Sequence, residues 1–247
     1  MTPTFSLLHA SFGRPEKAIA TRALWISRAT DPDVIEYIFA LNSDDPTDAE
    51  NLRVRCLAGF ATSAENLGLW WPRFVVSDFH GSAPAWDAAA KESNGNLLVQ
   101  VSDDFVPPQN YDQLILDAIV NRGGGLDWDT KAIVVRVGEH FRRDDLMTMF
   151  VCSRAYYKLQ GYFLFPEYRS VFSDDDATIR AVAAERDGVC QIIDARDVVF
   201  RHETAYHTGA EQDATLKRQN SPENYQQGAE LFMRRNLKLV NAGLKTW

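Results

Sequence analysis

The 247-residue chain is poor in cysteine. Its three cysteines, Cys56, Cys152 and Cys190, are isolated, odd in number and not spaced as metal ligands. This pattern excludes a disulfide-stapled scaffold and a cysteine-based zinc site. It is typical of buried free thiols in a reducing compartment.

Long apolar runs are also missing. No stretch of about 18 consecutive apolar residues occurs, which excludes an obvious membrane-spanning helix. The N-terminal segment Met1-Thr2-Pro3-Thr4 has no basic region followed by an apolar one, so we expect no signal peptide. Together these absences predict a cytoplasmic protein without a membrane span.

Positive charge is in deficit, because 26 lysines and arginines face 34 acids and leave a net charge of −8. Bulk attraction to nucleic acid or to an anionic membrane is therefore not expected. Local phosphate contacts remain open at two basic pairs, Arg142-Arg143 and Lys217-Arg218, although solvated surface charge is the commoner explanation of such pairs.

The chain has no Gly-x-Gly-x-x-Gly after its first strand, so the dinucleotide fingerprint is absent. We also find no internal repeat, low-complexity tract or linker. What is present is the composition of a globular protein, with 45% hydrophobic and 24% charged residues. We therefore predict one domain over residues 1–247.

Strand and helix patterns alternate along the first half. Apolar strand-like segments at 5–10, 34–41, 74–76 and 97–101 alternate with helical segments near 18–29, 48–55 and 83–91. This order predicts an α/β fold with a Rossmann-like, mostly parallel central sheet flanked by helices. In the second half we predict helices at 111–120, 172–185 and 223–240, strands at 131–137, 190–193 and 198–200, and a loop at 202–209; residues 146–159 mix both patterns.

The most informative segment is the strand 97–101, which stops at the adjacent acids Asp103 and Asp104 and is followed by Pro107-Pro108. Ligands of open α/β sheets bind at the carboxyl ends of the strands. Two carboxylates there are costly unless a positive group lies beside them, and a divalent metal ion is the obvious candidate. An ordinary solvated turn is the alternative, since Asp is common in turns.

Three further polar clusters stand out. Asn42-Ser43-Asp44-Asp45 follows the second strand and is either an ordinary turn or a set of hydrogen-bonding groups for a base or ribose. In Ser173-Asp174-Asp175-Asp176, Ser173 and Asp176 have the spacing of a capping box, yet the tandem acids exceed what capping needs. His202 and His207 are either a solvated pair or imidazole ligands that complete an oxygen-rich metal site.

Taken together, these clusters resemble a family 2 glycosyltransferase with the GT-A fold. Gly13-Arg14-Pro15 is similar to the opening turn of that family, and the segment from Gly95 to Asp104 is similar to its strand and metal-binding Asp motif. The segment from Phe172 to Arg180 resembles the Glu-Asp-x-Asp-Leu-x-x-Arg motif, with Ser173 in place of the Glu. The resemblance extends from the first strand to the His202 loop and is nearest to short bacterial or phage forms.

The resemblance implies a nucleotide-sugar-binding half over 1–110 and an acceptor-binding half with the C-terminal helix over 111–247. It also implies roles for individual residues: Asp174 as general base; Asp104 as ligand of Mn²⁺ or Mg²⁺, with His202 or His207 as a further ligand; Asp103 at the donor ribose; and Ala10, Ser11, Arg14, Asn42, Asp44 and Asp45 around the nucleotide. A UDP-sugar is the favoured donor.

The implied reaction is an inverting transfer of a hexosyl or pentosyl group from a nucleotide sugar to an acceptor hydroxyl. The acceptor stays open between a glycan, a small molecule and a modified DNA base. Two rival functions remain. A sugar-phosphate nucleotidyltransferase would show a glycine-rich phosphate loop, whereas the loop here has only Gly13 beside Arg14. The other rival is a catalytically inactive, transferase-like binding protein.

Overall fold

The computed structural model describes residues 4–44, 72–123, 127, 130–209 and 211–244. The predictions on Asp45, on Cys56 and on a helix near 48–55 lie outside these residues.

The first half alternates strands and helices as predicted. The elements are β1 (Phe5–Ser11), α1 (Pro15–Ser27), β2 (Ile35–Asn42), β3 (Arg73–Ser77), α2 (Ser82–Glu92) and β4 (Leu97–Val101). Pro15 occupies the first turn of α1, where its missing N–H costs nothing and its ring angle suits the helix. A short 3₁₀ turn at Pro32–Val34 leads into β2.

The second half is less regular. The elements are β5 (Phe105–Val106), α3 (Tyr111–Arg122), β6 (Ile133–Glu139), β7 (Val151–Ser153), α4 (Arg154–Gln160), α5 (Ser173–Arg186), β8 (Gln191–His202), α6 (Ala205–Thr208), α7 (Ala214–Gln219) and α8 (Pro222–Asn241). The ambiguous segment 146–159 therefore holds a short strand that runs directly into a helix.

The described strands form one eight-stranded sheet in the order β3-β2-β1-β4-β7-β6-β8-β5. β3, β2, β1 and β4 are parallel, β7 is antiparallel to both β4 and β6, and β6 is parallel to β8. Because β7 is antiparallel to the strand on each side of it, β6 and β8 run in the same direction as β1 and β4. The carboxyl ends of β1, β2, β3, β4, β6 and β8 therefore lie at one edge of the sheet.

Both faces of the sheet are covered, as expected for buried parallel strands. Leu7 points into an apolar cluster that contains Trp25 of α1 and Ile115 of α3. Its neighbour Leu8 points to the opposite face, into a second cluster that contains Phe232 of α8. Helix packing on both faces leaves the edges of the sheet as the places where polar side chains gather.

Two sequence predictions in the second half are wrong. The two short strands expected at 190–193 and 198–200 form the single strand β8, and its pairing with β6 absorbs a register shift between Val137 and Gly138. The loop expected at 202–209 contains the helix α6, and α7 follows it. Such short helices carry too little periodicity to show in a sequence. None of the helices among the described residues has both the length and the apolar character needed to cross a bilayer.

Candidate active site

The polar strand ends meet in one cleft. A cavity of about 550 Å³ lies at the carboxyl edge of the sheet. Its lining includes these residues singled out from the sequence: Ala10, Arg14, Asp103, Asp104, Asp174, His202 and His207. A second cavity of about 370 Å³ adjoins it and is lined by Ala10, Ser11, Asn42 and Asp44. The predicted nucleotide, metal and base residues among the described part of the chain thus share one continuous surface.

Asp103 lines the cleft with a nearly buried side chain, which is 3% exposed. Its Oδ1 lies 2.8 Å from Nε2 of His9, whose Nδ1 is 2.6 Å from the Tyr37 hydroxyl. The Ser11 hydroxyl donates to Oδ2 of Asp103 at 3.0 Å. This chain of hydrogen bonds ties the end of β4 to β1 and β2, and the predicted contact of Asp103 with a ribose stays a prediction.

Asp104 turns the other way and faces His202. Its Oδ2 lies 3.3 Å from Nε2 of His202, and the Ser102 hydroxyl donates to its Oδ1. The pairing of β5 with β8 explains this contact, because Phe105 is aligned with His202 and their rings stack at 4.2 Å. Two residues almost a hundred positions apart are thereby held at hydrogen-bonding distance.

Glu139 joins this pair and was missed in the sequence. Its Oε1 lies 3.2 Å from Nδ1 of His202 and 3.8 Å from Nε2 of His207, and the Thr148 hydroxyl donates to its other oxygen. The Glu139 side chain is only 6% exposed. A usable signal existed, since Glu139 is an acid at the carboxyl end of a buried strand, as Asp103 and Asp104 are.

The ligand atoms of Glu139, His202 and His207 all lie within 4.8 Å of one another. With Asp104 on the far side of His202, the group offers two carboxylates and two imidazoles. Mixed oxygen and nitrogen donors of this kind suit Mn²⁺ and other first-row divalent ions, whereas Mg²⁺ prefers oxygen alone. The residues present therefore fit a divalent metal ion.

Asp104, Glu139 and His202 stabilise one another's charged forms and so shift one another's pKa values. Burial alone would lower the pKa of His202, but its hydrogen bonds to Asp104 and Glu139 raise that pKa to about 9. Burial acts to raise the pKa of the Asp104 and Glu139 carboxyls. The hydrogen bonds from His202 and from other nearby donors outweigh burial, so both pKa values lie below their ordinary values. Two anionic carboxylates thus flank one imidazole in the metal-free protein.

Asp174 and Asp175 stand at the start of α5, where the chain turns sharply. Phe172 precedes the helix in a left-handed conformation, with φ 68°, and Ser173 is the first helical residue. The predicted capping box is wrong, because the Ser173 hydroxyl donates to the Ser170 carbonyl at 2.6 Å instead of capping the helix. The left-handed turn at Phe172 takes the place of the cap and directs both acids into the cleft.

Asp174 and Asp175 affect each other's ionisation through charge and hydrogen bonding. Burial raises the pKa of Asp174 above its ordinary value, against the lowering effect of backbone N–H groups at the helix start and of Arg142. Burial and the neighbouring charge of Asp174 raise the pKa of Asp175 to about 7. The pair therefore holds a proton more readily than an isolated carboxyl does, and one member can accept a proton at neutral pH.

Asp176 has a different role from its two neighbours, because it is 1% exposed and turned away from the cleft. Its Oδ1 accepts hydrogen bonds from Asn236 at 2.6 Å and from Arg235 at 3.0 Å, both on α8. The Arg235 guanidinium lies 3.2 Å from the centre of the Phe165 ring. This buried ion pair anchors the helix that carries Asp174 to the C-terminal helix.

We expect Asp176→Ala to lower the free energy of unfolding by about 3 kcal/mol, because it leaves buried cationic and amide donors without their acceptor. Glu167→Ala is the matched control, since it removes an exposed ion pair with Arg234 on the same C-terminal helix. That control should cost less than about 1 kcal/mol. Urea unfolding of both variants measures the difference, and equal midpoints would contradict the anchoring role.

At the smaller cavity, Asn42 holds the start of the loop before α2. Its side-chain amide donates to the Phe79 carbonyl at 2.8 Å and accepts from the Phe79 N–H at 3.0 Å. The same amide group donates to Asp44 at 2.9 Å, and both residues line the smaller cavity. Asn42 therefore shapes this cavity as well as lining it.

Two residues of the C-terminal segment also contact residues around the cavities: Asp213, which was not predicted, and Arg218, which belongs to a basic pair singled out from the sequence for phosphate contacts. Asp213 accepts two hydrogen bonds from Arg14, at 2.8 Å and 2.5 Å, and this pairing holds the pKa of Asp213 at about 2. The Arg218 guanidinium lies 3.9 Å from the centre of the Phe12 ring. The segment at α7 thus covers one side of both cavities, through contacts about two hundred positions apart in sequence that no local pattern reveals.

The molecule is thus an α/β protein with a mostly parallel sheet and a cleft of acids, imidazoles and arginine at its carboxyl edge. Among solved structures, S. aureus TarS 1–349 in complex with UDP-GlcNAc is similar, with a TM-score of 0.64 and 13% identity over 95% of this chain. The mannosyltransferase PcManGT from Pyrobaculum calidifontis, in complex with GDP-Man and Mn²⁺, aligns over 96% of the chain with a TM-score of 0.56 and 12% identity.

The chain spans 66% of that TarS fragment, 40% of the longer TarS chain and 76% of the mannosyltransferase chain. No protein-family model and no curated protein matches the sequence. At this level of identity the similarity shows the fold alone. The chain has the fold of TarS and of the mannosyltransferase PcManGT. The fold class predicted from the sequence is confirmed.

Proposed function

We propose that the protein is a metal-dependent, inverting glycosyltransferase that moves a sugar from a nucleotide-sugar donor, with UDP-sugars favoured, to an acceptor hydroxyl. One observation carries the proposal: a single cleft contains both the Asp104–His202 pair and the raised-pKa carboxyl of Asp174. The first suits a donor diphosphate with its metal ion, and the second suits proton removal from an acceptor. The bound nucleotide sugars of TarS and PcManGT support the donor class.

The donor would lie across the two cavities. Ala10, Ser11 and Asp44 line the smaller cavity, which suits a base and ribose, and Ser11 donates to Asp103, which lines the larger one. Arg14 lies close to Asp103, with 3.9 Å between Nη1 and Oδ2, and would meet the diphosphate. The proposed nucleotide contact of Asp45 lies outside the described residues.

Asp104 and His202 would hold the metal ion, with Glu139 and His207 beside them. Hydrogen bonding of Nδ1 to Glu139 leaves Nε2 of His202 on the side of Asp104, the arrangement in which a carboxylate orients a ligating imidazole. Bound there, a divalent ion supplies Lewis-acid stabilisation of the charge that forms on the leaving diphosphate. His202 is thus favoured over His207 as the direct ligand.

Asp174 would act as the general base. It takes the proton from the acceptor hydroxyl while that oxygen attacks the anomeric carbon and the bond to the diphosphate oxygen breaks. The proton ends on Asp174, the sugar on the acceptor and the electron pair on the nucleoside diphosphate. Because no carboxylate nucleophile is needed, the transfer occurs in a single displacement and inverts the anomeric configuration.

Thermal unfolding with a panel of UDP-, GDP- and dTDP-sugars, each with and without Mn²⁺, tests the donor class. A donor at one hundred times its Kd should raise Tm by about 5 °C or more, and only with the metal ion. Hydrolysis of the stabilising donor in the absence of acceptor should then be measurable. No shift and no turnover with any donor would favour the inactive binding protein, and pyrophosphate-dependent exchange would favour the nucleotidyltransferase.

A further inference from the structure

Phe172 has a backbone conformation that its side chain disfavours. Only two non-glycine residues in the described part of the chain have positive φ, Asn110 at 60° and Phe172 at 68°. Asparagine tolerates this left-handed region, whereas a bulky aromatic residue rarely adopts it because the conformation is strained. The surrounding structure must therefore hold Phe172 in place.

Gly228 of α8 provides that hold. A Cβ atom at this position would lie 2.7 Å from the Val171 carbonyl oxygen and 2.8 Å from Cδ2 of Phe172. Only glycine lets the turn pack this closely, although a glycine inside a helix is less stable there than alanine. The left-handed conformation of Phe172 and the glycine within α8 are both locally unfavourable. Their occurrence at one contact indicates that the position of the Phe172 ring is functionally important.

The Phe172 ring forms a wall of the cleft together with Tyr225. Their ring centres are 6.3 Å apart at an angle of 84°, an edge-to-face contact. Tyr225 is 47% exposed, and both residues line the larger cavity together with Asp174. A partly exposed aromatic surface thus lines the same cavity as the proposed base.

The charge at this end of the cleft is negative. Asp174 and Asp175 are opposed there by Arg142, which is already paired with Asp144 at 2.8 Å. A phosphate-bearing acceptor would meet like charge close to the base and would be disfavoured. The same cavity is also lined by the neutral amide side chains of Gln219 and Asn220, which can hydrogen-bond hydroxyls.

We infer, resting on the proposed function, that the acceptor is an uncharged carbohydrate whose pyranose ring lies against Tyr225 beside Phe172, with one hydroxyl at Asp174. An aromatic ring offers an apolar face to the C–H side of a sugar, while neighbouring amides take its hydroxyls. The left-handed turn at Phe172 then has two consequences: it directs Asp174 into the cleft and completes the aromatic wall.

Calorimetry with cellotriose, maltotriose and chitotriose, on protein with and without UDP and Mn²⁺, tests this inference. At least one trisaccharide should bind the wild type. Tyr225→Ala should weaken that binding about tenfold, while Tyr225→Phe, which keeps the ring, should stay within about twofold. Leu237→Ala, at an exposed position of the same helix away from the cavity, is the matched control and should bind as the wild type does.

A ten-residue oligothymidylate is the anionic comparison and should not bind. The inference is overturned if no trisaccharide binds, if Tyr225→Ala binds as well as the wild type, or if the oligothymidylate binds in a Tyr225-dependent way. Donor affinity is measured on the same variants. Failure of the proposed function would appear as absence of donor binding in the wild type, whereas failure of this inference alone would leave donor binding intact.

Discussion

Asp174→Asn should lower the rate of sugar transfer by about 10²–10⁴-fold while the donor Kd changes by less than about twofold. The amide has nearly the shape of the carboxyl but cannot take a proton from the acceptor. Donor binding should survive because the groups proposed to hold the donor belong to the strand ends and to Arg14, not to α5. Single-turnover transfer and calorimetry with the donor measure the two effects separately.

The pH dependence of the wild-type enzyme follows from the same residue. A base must be unprotonated to act, so activity is lost as the pH falls through its pKa. Burial raises the pKa of Asp174 above its ordinary value. The acidic limb of kcat/KM should therefore lie above pH of about 4, the range of an unperturbed aspartate, and should be missing from the residual rate of Asp174→Asn.

Asp175→Asn is the matched control, since it changes the adjacent carboxyl of the same coupled pair. We expect this variant to keep transfer within about tenfold of the wild type, because Asp174 is still able to accept the proton. The reverse result, with an active Asp174→Asn and an inactive Asp175→Asn, would move the role of base to Asp175. Full activity of both variants would remove the base from this cluster.

The elements of the first half were predictable because each has a clear local cause. Apolar runs of five to eight residues form β1, β2 and β4, and Pro15 begins the helix α1. Polar residues at the ends of parallel strands meet at one edge as a matter of geometry. That rule alone predicts Asp103 and Asp104 at this edge of the sheet, and both line the cleft.

What could not be predicted depends on which strands are neighbours. Glu139 and His202 meet because β6 lies beside β8, and the sequence contains no local mark of that pairing. The antiparallel β7 between β4 and β6 is only three residues long, too short to show a period. The Arg14–Asp213 pair likewise depends on where the C-terminal segment docks.

The three adjacent acids Asp174, Asp175 and Asp176 have different roles in the structure. From the sequence, Ser173 and Asp176 had the spacing of a cap, and this was wrong because both side chains bond elsewhere. Asp176 accepts hydrogen bonds from α8 and anchors that helix, whereas Asp174 and Asp175 line the cleft. The helix that carries all three acids begins after the left-handed backbone turn at Phe172, which no propensity would predict for this residue.

The metal group supports the second large effect. Asp104→Ala should remove the Mn²⁺-dependent part of donor binding, so that the donor Kd in Mn²⁺ equals the Kd in chelator. Calorimetry with the donor measures this, and titration of free Mn²⁺ by electron paramagnetic resonance measures the ion alone. Asp194→Ala, an exposed acid on the strand that carries His202, is the control and should behave as the wild type.

Glu139→Gln separates an orienting role from direct ligation. If Glu139 only orients His202, the glutamine oxygen can still accept the Nδ1–H, and Mn²⁺ affinity should fall by no more than about 10–100-fold. His202→Ala should then match the larger loss of Asp104→Ala, while His207→Ala should have a smaller effect. If Glu139→Gln and His207→Ala instead abolish Mn²⁺ binding and Asp104→Ala does not, the ion belongs to the Glu139–His202–His207 cluster. In that case Asp104, the acid at the end of the central strand, would act on the donor without the metal ion.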